Sequence, residues 1–239
     1  MISALVLSLW LGPFPVVESK DFTKQQQVAV LRATVRIQNR TNATQGTGVI
    51  VGRKARQRGD KTIYYAYILT ASHLVEGGSK IEIETFTAES YPEAAKRYPY
   101  LLSRVVGRTP ATRSDLAIIK LIAPNKPADP IRIYPKRGEK KGFAGLSLGC
   151  EGGKAPTCQL IDVKGKKFVK KQGQVGGGYF WQSKQVPLKG RSGGPLIDRK
   201  GFLRGICSIS GGGSGYYAHV DEIHRLIRDN DLTWLVEKE

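Results

Sequence analysis

The sequence predicts an all-β protein that ends in a single helix. Three observations carry this: many short apolar runs set between turn residues, a proline-rich break that splits those runs into two groups, and one late stretch with helical spacing. The runs occupy residues 28–37, 48–51, 62–69, 81–86, 116–122, 143–148, 159–163, 179–182, 202–209 and 216–220. Runs of this length and spacing read as antiparallel strands. Pro124, Pro127 and Pro130 remove ladder donors and interrupt any strand across residues 123–130. Ile223, Leu226 and Ile227 then recur at three-to-four spacing behind Asp221, a residue suited to capping, and predict the C-terminal helix. The expected organisation is a β-rich half over residues 20–122, a linker over 123–130, and a second β-rich half with the helix over 131–239.

Composition narrows the class. A chain of 239 residues with 40% hydrophobic residues can bury a substantial core, which argues against disorder. The 38 Lys and Arg against 20 Asp and Glu give a formal charge of +18, which favours anionic surfaces. Two basic runs, residues 53–61 and 164–171, fall between expected strands and form a candidate polyanion surface, or simply a solvated face. Neither run has interleaved aromatics, so no specific nucleic-acid partner is expected. Residues 1–19 include an apolar stretch of the length of a secretory signal core, too short to span a bilayer; an N-terminal strand is the alternative. No other segment suggests a transmembrane anchor. A secreted or periplasmic location is therefore expected.

Cys150 and Cys158 flank the turn-rich Glu151-Gly152-Gly153-Lys154-Ala155-Pro156-Thr157, and in an exported protein they are a candidate disulfide. Cys207 lies in an apolar run and reads as a buried small hydrophobe. The cysteine spacing is not a zinc pattern, and neither a metal nor a cofactor is expected.

Three local patterns suggest chemistry. Gly190-Arg191-Ser192-Gly193-Gly194-Pro195 sets a hydroxyl among glycines, whose backbone freedom lets N–H groups converge on a developing oxyanion; the alternative is a plain turn. In Ile68-Leu69-Thr70-Ala71-Ser72-His73 an apolar strand ends at a histidine, the side chain best able to exchange a proton near neutrality. Ser114-Asp115-Leu116-Ala117 puts a carboxylate just before an apolar strand, where it could orient that imidazole or merely form a turn.

Together these blocks resemble the three signature segments of the chymotrypsin-like serine peptidase family. Val105-Val106-Gly107-Arg108 and Tyr217-Ala218-His219-Val220-Asp221-Glu222-Ile223 are similar to its bacterial branch, which includes the high-temperature-requirement peptidases; the resemblance spans about residues 28–228, with no PDZ domain. It implies two six-stranded antiparallel β-barrels with a C-terminal helix, the active site between them, and a polypeptide substrate. It further implies Ser192 as nucleophile, His73 as base, Asp115 as orienting carboxylate, and the N–H groups of Gly190 and Ser192 as oxyanion donors. Ser208, Ile209 and Ser210 would form the substrate-binding edge, with Val186 at the pocket floor and Gly215 lining it. An apolar floor would select a small or medium apolar residue before the cut. Arg191 stands where zymogen-activated relatives carry Asp, so no new N-terminus is expected to pair there, and its guanidinium is expected to face solvent or a carboxylate. The competing reading is a non-catalytic basic binding module on the same fold.

Overall fold

The all-β expectation holds for most of the chain, as seen in a computed structural model that describes residues 14–170 and 176–236. The apolar run at residues 2–12 and Lys171 of the second basic run lie outside the described residues. Strands β1 (Thr34–Asn39), β2 (Thr44–Arg58), β3 (Lys61–Ala71), β4 (Ile81–Thr85), β5 (Lys96–Tyr98), β6 (Ser103–Arg108) and β7 (Leu116–Ala123) form one sheet, ordered β5-β4-β1-β2-β3-β7-β6. Strands β8 (Lys141–Gly149), β9 (Thr157–Val169), β10 (Gly178–Ser183), β11 (Pro195–Ile197), β12 (Leu203–Gly211) and β13 (Ser214–His219) close a six-stranded barrel.

The two halves differ from a matched pair of six-stranded barrels. The first sheet has seven strands and is not closed by a ladder among the described residues. Pro99 and the 3-10 turn Tyr100–Leu102 separate β5 from β6, and Ser103 Oγ donates to the Ile81 carbonyl at 2.5 Å where a ladder would otherwise form. Residues 28–37 are also not one strand: α1 (Lys24–Ala33) precedes β1. Thr23 and Gln26 form a reciprocal capping box, with Gln26 N–H donating to Thr23 Oγ1 at 3.2 Å and Thr23 N–H to Gln26 Oε1 at 2.8 Å. That cap starts a helix whose Val28 and Leu31, three apart, are buried.

The apolar ends of β3 and β7 are buried on both faces, because β12 packs on β3 and α2 (Val220–Arg228) on β7. Ile68 and Leu69 are fully buried, each stabilising the fold by roughly 1.5–3 kcal/mol. Between β7 and β8, Ile131 N–H donates to the Ile50 carbonyl at 2.9 Å and Tyr134 N–H to the Leu203 carbonyl at 3.0 Å, so this connection is stitched to both sheets.

Helix α2 is capped by His219 rather than Asp221. Its Nδ1 accepts from Asp221 N–H at 3.0 Å while Nε2 faces the Glu139 carbonyl at 3.0 Å. Asp221 is spent elsewhere, accepting from Gly138 N–H and Lys166 Nζ. The His219 pattern requires a neutral ring protonated at Nε2. Burial accordingly pushes His219 down to about 4, against the opposing pull of Asp221. The unfolded chain takes up this proton near pH 6.5 and the native one only near 4, so stability contributed by the neutral ring is complete above 6.5 and lost as pH falls to 4. The loss should approach about 3 kcal/mol. Urea unfolding at pH 7 and 4.5 should show a smaller pH difference for His219→Asn, which retains a capping acceptor without titrating; an unchanged difference would contradict this role.

Candidate active site

The junction of the two sheets brings together His73 from the 3-10 turn that follows β3, Asp115 from the residue before β7, and Ser192 from the loop before β11. Strand pairing explains the first meeting, since Ala71 faces Leu116 at the ends of β3 and β7. Asp115 therefore sits beside the turn carrying His73. Its carboxylate is 1% exposed and accepts from His73 twice: Oδ1 from the backbone N–H at 3.0 Å, and Oδ2 from ring Nδ1 at 2.8 Å. Ser208 Oγ donates to the same Oδ2 at 2.5 Å. The ring thus carries its proton on Nδ1 and keeps Nε2 as an acceptor, with 35% of the side chain exposed. Asp115 holds φ at +51°, a left-handed conformation that Asp tolerates better than most residues.

Ser192 approaches from the closed barrel. Its Oγ donates to the Ser208 carbonyl at 3.4 Å, and no hydrogen bond among the described residues joins it to His73. Ser208 thus touches both Asp115 and Ser192, whereas the sequence suggested only a place on the substrate edge.

The backbone around Ser192 is held in a definite pattern. The carbonyls of Lys189, Gly190, Arg191 and Ser192 accept, respectively, from Gly152 N–H, Thr47 Oγ1, Gly194 N–H and Thr47 N–H at 2.8–2.9 Å. In a trans peptide the N–H opposes the carbonyl of the preceding residue. Pinning Lys189 and Arg191 carbonyls thereby turns the Gly190 and Ser192 N–H groups the other way, and neither donates to a protein acceptor among the described residues. Gly190 adopts φ +95°, and a Cβ there would lie 2.4 Å from the Cys150 carbonyl oxygen. Only glycine fits that turn.

The specificity candidates are distributed less simply. Ser208 is buried, Ser210 is exposed and pairs with Gly215, and Ile209 pairs with Tyr216 across β12 and β13. Gly215 also pairs with Ser183, and a Cβ on it would meet the Gln185 carbonyl at 2.4 Å and Pro187 Cδ at 2.5 Å. Gln185 and Pro187 thus stand against Gly215, while Val186 between them is 44% exposed.

Two expectations need correction. Arg191 faces neither solvent nor a carboxylate: it is 2% exposed and donates to Thr157 Oγ1 at 2.9 Å, the Ser147 carbonyl at 3.0 Å and the Thr157 carbonyl at 3.3 Å. Its stem crosses Gly149, where a Cβ would come within 2.9 Å of it. Cys150 and Cys158 are free thiols. Leu148, not Cys150, faces Cys158 in the β8–β9 ladder, and Cys150 lies past the end of β8, where the chain enters the 3-10 turn Glu151–Gly153. Burial pushes Cys150, Cys158 and Cys207 each up to about 12, so all three stay protonated at neutral pH.

Part of the basic surface gathers into a groove of about 340 Å³ where Arg56, Arg104 and Lys120 stand with Tyr65, Leu101 and Ile122. None of the three cations has a carboxylate within 4 Å among the described residues. Lys120 Nζ sits 4.1 Å from the Tyr65 ring centroid. No group of His, Cys, Asp and Glu among the described residues is arranged to hold a metal, and no described helix is long and apolar enough to cross a membrane.

Residues 46–206 match the family model of the trypsin-like peptidase domain. Two curated relatives, both described as probable periplasmic serine endoproteases that are DegP-like, come from Chlamydia muridarum (26% identical over 212 residues) and Chlamydia pneumoniae (27% over 207). The alignments cover 86% and 80% of this chain, which spans only 36% of either relative's length. Among solved structures, the inactive form of the Rv3671c protease of M. tuberculosis superposes with a TM-score of 0.68 at 18% identity, covering 91% of this chain and 98% of that one. The serine endoprotease from Yersinia pestis gives 0.61 at 24% identity, covering 92% of this chain and 68% of that one. These two likenesses establish the fold.

Proposed function

This chain belongs to the family of trypsin-like peptidase domains, and from that premise we propose that it is a serine endopeptidase acting on polypeptides through an acyl-enzyme on Ser192. The observation that carries the proposal is the double grip of Asp115 on His73, which leaves Nε2 free to act as a base. In the first step His73 Nε2 takes the Ser192 hydroxyl proton as Oγ attacks the scissile carbonyl carbon. The oxyanion receives the Gly190 and Ser192 N–H groups, and Asp115 stabilises the imidazolium. Collapse breaks the C–N bond, with the imidazolium protonating the leaving amine. Water, deprotonated by the same ring, then hydrolyses the ester and restores Ser192.

A binding-module reading draws its support from the Arg56–Arg104–Lys120 groove, suited to a polyanion, and one experiment addresses both readings. A fluorophosphonate probe should label the parent and not Ser192→Ala, while both bind heparin alike. The names of the relatives and the apolar start of the sequence support export. The label should accordingly appear in the exported fraction of expressing bacteria. Equal labelling of a folded Ser192→Ala protein would defeat the peptidase assignment.

A further inference from the structure

Thr47 lies in β2, fully buried, on the sheet opposite the Ser192 loop. It makes hydrogen bonds with every polar atom it has. Its N–H donates to the Ser192 carbonyl at 2.8 Å, and its own carbonyl accepts from Thr70 Oγ1 at 2.7 Å. Its hydroxyl donates to the Gly190 carbonyl at 2.8 Å and accepts from Cys150 N–H at 2.9 Å.

The two hydroxyl bonds reach both oxyanion donors. The Gly190 carbonyl belongs to the peptide that lies between the Gly190 and Ser192 N–H groups, so holding it sets the angle between them. The Cys150 N–H opens the turn at residues 150–153, whose Gly152 N–H pins the Lys189 carbonyl and so directs the Gly190 N–H. The turn is anchored from the far side as well, by Arg36 Nη1 donating to the Gly153 carbonyl at 2.6 Å. The N-terminal sheet therefore holds the oxyanion loop of the barrel through the Thr47 N–H and hydroxyl, and of these only the hydroxyl reaches both the Gly190 carbonyl and the 150–153 turn.

We propose that the Thr47 hydroxyl is a positioning group for the oxyanion site, acting through the Gly190 carbonyl and the 150–153 turn and never touching substrate. The proposal rests on the peptidase reading above. Valine matches threonine in shape but offers neither donor nor acceptor, so Thr47→Val would leave the buried Gly190 carbonyl and Cys150 N–H without partners. Both groups would recover partners most readily by rotating their peptides, which misdirects the donors. Loss of one such donor costs on the order of 10²–10³ in kcat. Thr47→Val should accordingly lose about 100-fold in kcat with KM within about threefold, whereas Thr47→Ser, which keeps the hydroxyl, should stay within about threefold of the parent.

A merely structural role is separated by two inhibitors. A peptide boronate, which forms a tetrahedral adduct using the oxyanion donors, should weaken about in step with kcat in Thr47→Val. A peptide with the scissile bond reduced to CH2–NH has no carbonyl at the reacting position and should bind parent and variant equally. Parallel weakening of both, or a folded Thr47→Val with parental kcat, overturns the proposal while leaving the peptidase reading intact. If Thr47→Val does not fold, Thr47→Ser decides: a 100-fold loss there would show that the γ-methyl, not the hydroxyl, matters. A parent that neither turns over peptide nor takes the probe overturns both readings.

Discussion

Asp115→Asn should lower kcat by about four orders of magnitude and leave the fold intact, the size of loss known for this exchange in Ser-His-Asp peptidases. Here the reason is visible at each oxygen. Asp115 accepts three hydrogen bonds, from His73 N–H on Oδ1 and from His73 Nδ1 and Ser208 Oγ on Oδ2. An asparagine can accept at only one of those positions. If its oxygen stays on the His73 backbone N–H, its amide group meets Nδ1, and the ring must present a lone pair there. The proton then moves to Nε2, the atom proposed to receive the Ser192 proton. The fold should tolerate the change because Asn, like Asp, accepts the φ of +51° found at this position. Steady-state hydrolysis with a thermal melt checks both halves, and the double variant with Ser192→Ala should be no slower than Ser192→Ala alone. A kcat within tenfold of the parent would remove Asp115 from the mechanism.

Gly193→Ala is expected to abolish measurable turnover and to destabilise the protein by about 3 kcal/mol, combining overpacking with the left-handed backbone penalty. Gly193 has φ +84°, and a Cβ there would lie 1.9 Å from the Thr47 carbonyl oxygen and 2.3 Å from Thr70 Oγ1. Neither atom is the flexible end of a long side chain. The Thr47 oxygen is strand backbone, and Thr70 Oγ1 is already bound to it. The Ser192 loop must therefore lift away from β2, breaking the Thr47–Ser192 and Gly193–Cys207 backbone bonds together. Gly211→Ala is the control, since nothing lies within 4 Å of its added methyl. Urea unfolding of the two variants should separate them clearly; a Gly193→Ala protein with parental stability and activity would show that the loop is not clamped as described.

The sequence by itself determined the β architecture, the late helix and the three residues that the catalytic proposal uses. Each of those signals is local: a strand runs up to His73, another runs from Asp115, and glycines surround Ser192, so chain neighbours are enough to mark them. The α1 boundary was legible too, in Thr23 and Gln26, but the apolar run that follows continues without a break into β1, and its periodicity alone does not separate the two elements. Tertiary structure decided the remainder. Thr47 sits between two glycines and resembles any turn hydroxyl until the fold brings Gly190 and Cys150 to it from more than a hundred residues away. Arg191 has no neighbouring signal for burial, because its partners Ser147 and Thr157 lie on the paired strands β8 and β9. The same holds for Ser208, which is a substrate-edge residue by motif and an Asp115 partner by contact. A side chain's own neighbours set its conformation, but the groups that satisfy its polar atoms come from whichever strands pack against it, and only the closed fold selects those.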